Sequence, residues 1–180
     1  MHPVETLSSA LKDYGPLITA MSVLVATWAL RANHDWNRRN YTAGLIGQWN
    51  DETSTHRKAI EKLRAGLIDL DTRGAVVEIS EADARAIYSS KADTPNWELR
   101  FHFIELLNYF ETITAAYRNR VGDPRMIEES LRNVLIRWRK ILRHFIEVVE
   151  KERGYRAWEP FTTVVDYWDS KPFQPRSFTG

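Results

Sequence analysis

From Tyr14 to Leu30 the chain runs seventeen residues without a charge, and no other stretch narrows its possible folds so sharply. A helix needs roughly 17–25 apolar residues to cross the hydrocarbon core of a bilayer, so this run reaches the lower limit. Pro16 suits the first turn of such a helix, where its missing N–H removes no hydrogen bond. Tyr14 and Trp28 stand near the two ends, where interfacial aromatic side chains collect. A cleaved leader is disfavoured by Glu5, Lys12 and Asp13 ahead of the run, and by Arg31 directly behind it. A surface-lying helix is disfavoured because the run has no charged face. A buried core helix is the stronger rival. The expectation is a transmembrane helix over 14–30, bordered by Tyr14, Trp28, Arg31, Arg38 and Arg39. The arginine excess behind the run orients it with residues 1–13 outside and the rest cytoplasmic, a single-pass protein of the inner membrane.

The remaining sequence reads as all-α: a helical domain over 31–169 and an extended tail over 170–180. Composition is that of a folding chain, 43% hydrophobic and 27% charged, with no cysteine. Disulfides, thiolate metal sites and cysteine nucleophiles are thereby excluded. A net charge of +1 argues against a globally basic nucleic-acid binder. Seven tryptophans favour protein contacts or interfaces.

Local signals divide the domain. Residues 31–50 prolong the first helix, with Trp36, Tyr41, Leu45, Ile46 and Trp49 near helical spacing. A polar break at Asp51–Thr55 precedes a helix to about Leu70, and a turn with a short extended piece covers 71–78. Ser80 with Asp83 three residues on resembles a capping box. Thr94-Pro95 and Asp123-Pro124 each pair an N-cap with a proline at the first helical position. They open helices from Pro95 to about Asn119 and from Pro124 to about Glu152, antiparallel across a short connection. Gly154 ends the second, and a short helix follows over 157–168.

Two tetrapeptides, His102-Phe103-Ile104-Glu105 and His144-Phe145-Ile146-Glu147, place imidazole and carboxylate at i, i+3. Carboxylate-bridged metal sites in bundles use that spacing. Here the apolar stripes of the first helix (Leu99, Phe103, Leu106, Phe110, Ile113 and Tyr117, then Trp97, Phe101 and Ile104) and of the second (Ile127, Leu131, Val134, Trp138, Ile141, Phe145 and Val148) leave both pairs on polar faces, so metal stays an alternative and no cofactor is expected. Asn108 and Glu111 lie between those stripes. A buried carboxylate needs a cation, and Arg132, Arg139 and Arg143 are the candidates for an interhelical bridge. The basic stretch Arg132–Arg143 suits an internally paired face, anionic headgroups or, least, nucleic acid. His34, one turn past the apolar run, is read as an interfacial side chain. The tail's Pro172-Phe173-Gln174-Pro175-Arg176 and Phe178 are read as a docking segment.

Thr42 to Trp49, L-L-N-Y-F-E (Leu106 to Glu111), D-P-R-M-I (Asp123 to Ile127) and I-R-W-R (Ile136 to Arg139) together resemble an uncharacterised bacterial family. Its members are small, often membrane-anchored helical proteins defined by a domain of unknown function. The resemblance implies a helical fold and membrane association, carries over no activity, and draws Asn108, Glu111 and Trp138 forward as packing or binding positions. The leading expectation is a non-catalytic interaction module, an accessory or scaffolding subunit of a membrane complex. Its partners would be the lipid bilayer and another protein, with no small-molecule substrate identified. A metal-dependent enzyme and a membrane-associated nucleic-acid binder are the rivals.

Overall fold

The computed structural model describes residues 3–63 and 78–172, with side chains of the first stretch described at Leu17 and from Thr19 onward. Seven helices appear among the described residues: α1 (Pro3–Asn50), α2 (Glu52–Leu63), α3 (Glu81–Tyr88), α4 (Pro95–Arg118), α5 (Pro124–Ile141), α6 (Arg143–Arg153) and α7 (Glu159–Asp169). The chain forms two compact units, 1–40 and 41–180.

The first unit is helical, and Pro16, expected to open the helix, lies inside it. Leu17, Met21, Leu24, Val25, Trp28 and Leu30 are exposed. Among the described residues no helix is long and apolar enough to cross a membrane. That overturns the transmembrane helix at 14–30, and with it the single-pass topology, the inner-membrane placement and the interfacial role of Tyr14, Trp28, Arg31, Arg38 and Arg39. The physical reason is dilution. Within its seventeen residues the run spends positions on Tyr14, Gly15, Pro16, Thr19, Ser22, Thr27 and Trp28, and Arg31 stops it. Thr27 Oγ1 donates to the Val23 carbonyl at 2.8 Å, which satisfies the hydroxyl without lengthening the apolar span.

In the second unit α4 is the central helix, packed by α2, α3, α5 and α7, while α6 lies against α3 and α5. Its inward face, Leu99, Phe103, Leu106, Phe110 and Ile113, is fully buried. Phe110 is the hub: its ring stands 5.2 Å from Phe161 and 6.2 Å from Trp138. The second stripe expected on α4 is a surface instead, since Trp97 and Phe101 are exposed and only Ile104 is half-buried.

The caps hold. Ser80 Oγ accepts from the Asp83 N–H, Thr94 Oγ1 from Trp97 and the Asp123 carboxylate from Arg125 and Met126. Gly154, with φ of 72°, closes α6 in the left-handed region that glycine enters without strain. The break before α2 is a single residue, Asp51, because Thr53 Oγ1 donates back to the Trp49 carbonyl at 2.6 Å and the helical path resumes at Glu52.

The long helix expected from Pro124 to Glu152 is in fact two, parted at Leu142. A contact from far away in sequence meets the break: the Ile79 N–H donates to the Ile141 carbonyl at 3.2 Å, an insertion of the kind that accompanies interrupted helices. The α4–α5 connection is tied down as well. The buried Thr42 accepts from the Asp123 N–H at 2.7 Å, and a Cβ on Gly122 would meet both Thr42 Oγ1 and Ile127 Cδ1 at 2.9 Å. Only glycine fits there. The expected continuation of α2 to Leu70, the turn at 71–77 and the Phe173–Phe178 part of the tail lie outside the described residues.

Candidate functional site

The five residues singled out from the sequence do not converge. Trp138 is a core side chain under Phe110. Asn108 is exposed on α4, and its Oδ1 accepts from the buried Trp158 indole N–H at 3.0 Å. Trp158 precedes α7 with φ of 54°, so this bond supports a backbone conformation that a bulky residue rarely adopts. Glu111 is half-buried beside Tyr41, Thr112, Ala115 and Val121. None of the three arginines proposed for it is turned its way. Arg132 reaches Glu128 at 2.9 Å and the carbonyls of Trp168 and Lys171, closing the C-terminal end of α7. Arg139 pairs with Asp166 at 3.2 Å and Arg143 with Glu78 at 2.7 Å.

Adding Lys140 with Asp169 at 3.0 Å, the basic residues Arg139 and Lys140 of α5 and Arg143 of α6 line a cleft of about 240 Å³ in which cations and carboxylates alternate. Each acid comes from another element: Asp166 and Asp169 from α7, Glu78 from the segment before α3. Sequence alone shows the cations together and the acids dispersed. Packing joins them, so the basic face is an internally paired one. Exposed pairs of this kind contribute about 0–1 kcal/mol each.

The repeated His–Glu motif is divided too. His144 Nδ1 keeps its own Glu147 at 2.9 Å. His102 meets a residue outside both tetrapeptides, His56 of α2, with 2.9 Å between the two Nδ1 atoms and 5.1 Å between the rings. Those distances are of rings meeting head-on, each nitrogen aimed at the other, where two ligands of one ion would aim at a third point. Among the described residues no group of three or more His, Asp or Glu is placed to hold a metal ion. Burial, then the charge of His56, pushes the His102 imidazole below its ordinary value, against the opposing pull of Glu98 and Glu105. Next along α2, Arg57 lies 4.1 Å over the Trp49 ring and donates to the Trp49 carbonyl at 2.9 Å. Burial lowers its guanidinium as well. Tyr109 stacks on Trp49, donates to the Leu45 carbonyl at 2.6 Å, and is pushed well above its ordinary value by burial.

Residues 16–168 match the family described as Domain of unknown function (DUF4760). The chain belongs to that family. Membership bears out the resemblance to an uncharacterised family. It does not extend to a bacterial source, and the anchoring that the resemblance implied is overturned by the missing span. No curated protein and no solved structure matches the chain.

Across this DUF4760 domain the most unusual surface is the exposed apolar one of α1. Leu24, Trp28 and Leu30 expose 70%, 72% and 71% of their area, and Trp36 follows at 62%. Leu17, Met21, Leu24 and Trp28 recur at steps of four, three and four, while Val23, Val25 and Leu30 occupy the other sides. A helix that is apolar all round is one that ends up enclosed.

Proposed function

We propose that this DUF4760 chain is a non-catalytic interaction module, an accessory or scaffolding subunit that lends one apolar helix to a protein assembly. One observation carries the reading: eight large apolar side chains between Leu17 and Trp36 are exposed, while no helix among the described residues is long and apolar enough to cross a membrane. Contiguous exposed apolar surface of that extent marks a contact site on a folded protein. Because the apolar residues encircle the helix from Leu17 to Leu30, the partner that suits them is a bundle or cleft contacting several sides, not a flat face. Two tryptophans on that surface fit the part, since Trp is the residue type most enriched at energetic centres of interfaces.

The test places a photo-crosslinking amino acid at Leu24 or Trp28 of the full chain at native expression, with exposed Tyr155 as the control position. A discrete protein adduct from positions 24 and 28, absent at 155 and lost in the Leu17→Lys/Met21→Lys variant, is the expected result. A clean monomer without adducts overturns the reading.

A further inference from the structure

The His56–His102 contact joins two helices through a pair of groups that share one proton. At 2.9 Å only one hydrogen fits between the Nδ1 atoms, so one ring donates and the other accepts. The contact bridges 46 positions of sequence and sits where α2 lies against α4. We propose that this pair is an acid-sensitive clamp, which holds α2 on α4 while one of its bridging nitrogens is unprotonated and releases α2 when both carry a proton.

A first proton leaves a donor facing an acceptor, now as a charge-assisted bond. A second removes the acceptor, setting two N–H groups and two positive charges against each other at hydrogen-bond distance. The charged groups around the pair are of both signs, and on α2 the carboxylate of Glu52 stands one turn before His56. From α4, Glu98 and Glu105 lie one turn before and after His102 and favour its charge, but they rank behind burial and behind His56 itself. From α2, Arg57 adds a further cation one residue away, committed to Trp49. On the side where α3 meets α4, Arg100 is committed to the Tyr88 carbonyl at 2.7 Å. Phe101 flanks both rings and brings no charge.

The sign follows from His102. A base held below its ordinary value when folded binds fewer protons folded than unfolded. Its contribution is therefore complete above the unfolded value of about 6.5 and declines as pH falls through the folded one. Release of α2 would bare Ile60, which is fully buried, and the α4 surface around Tyr109. The clamp is thus a control on which part of the domain is open to partners, independent of the apolar surface of α1.

Hydrogen exchange of the full chain between pH 7.5 and 4.5, corrected for intrinsic rates, tests it. Protection of the α2 amides is expected to fall at least tenfold relative to those of α5 across that range. In His102→Gln and His56→Gln, the α2-to-α5 ratio should become independent of pH, whatever its absolute level. His144→Gln, which removes the histidine paired with Glu147, should leave the wild-type response intact. The proposal is overturned if α2 and α5 lose protection in parallel in the wild type, or if the response survives in both clamp variants.

Discussion

Leu24 and Leu107 are the same side chain in opposite circumstances. One exposes 70% of its area in the first unit, and the other is fully enclosed in the second. The same split holds for tryptophan, with Trp28 at 72% and Trp138 at 2%. Apolar content therefore does not separate the two units. What separates them is the supply of neighbours: among the described residues from 41 onward six further helices bring apolar faces that meet one another, and residues 17–30 bring a single helix apolar on every side. The lesson is that a helical period within a run tells which face a domain can bury, while a run without a period leaves its environment to be supplied from elsewhere.

The sharpest way to break this contrast is to truncate a tryptophan in each unit. Trp138→Ala should destabilise the second unit by about 3–5 kcal/mol, read as a lower urea midpoint. Next comes Gly122→Ala, whose added methyl has no room between Thr42 and Ile127; a loss of about 1–3 kcal/mol is expected, with the α4–α5 turn displaced in NMR shifts. Asn108→Ala removes the acceptor of the Trp158 indole near an exposed position where water can substitute, so about 1 kcal/mol is expected together with a shift of the indole N–H resonance. Smallest is Trp28→Ala, which should leave the unfolding midpoint of the isolated chain within about 0.5 kcal/mol of wild type. If Trp28→Ala proves as damaging as Trp138→Ala, the contrast between the units fails.

Features encoded within a few residues were legible in the sequence. Ser80 with Asp83, Thr94-Pro95, Asp123-Pro124 and Gly154 each fix a helix end through contacts four or fewer residues apart, and each does so in the structure. The inward face of α4 was legible for the same reason, since period alone defines it. What escaped was decided between distant residues. Nothing near Leu142 announces the break, and the contact that meets it comes from the distant N–H of Ile79. The pairing of His102 with His56 depends on how α2 settles on α4, and no local spacing marks it as the duplicated His–Glu pattern is marked. Arg139 and Arg143 were read as partners of Glu111 because all three lie on adjacent helices, but acids from α7 and from the segment before α3 reach them instead. The apolar run failed for a different reason: counting uncharged residues gave Thr19, Ser22 and Trp28 the same weight as leucine.

The tie between Thr42 and the α4–α5 connection also says where the chain can be shortened. A protein beginning at residue 41 keeps Thr42 beneath Asp123, Leu45 under the Tyr109 hydroxyl, and Trp49 between Arg57 and the aromatic rings of α4. One beginning at residue 51 removes all three at a stroke, leaving an unroofed turn and a tyrosine without its acceptor. The last three turns of α1 thus behave as the first wall of the globule, and a cut just ahead of them is the one that spares it.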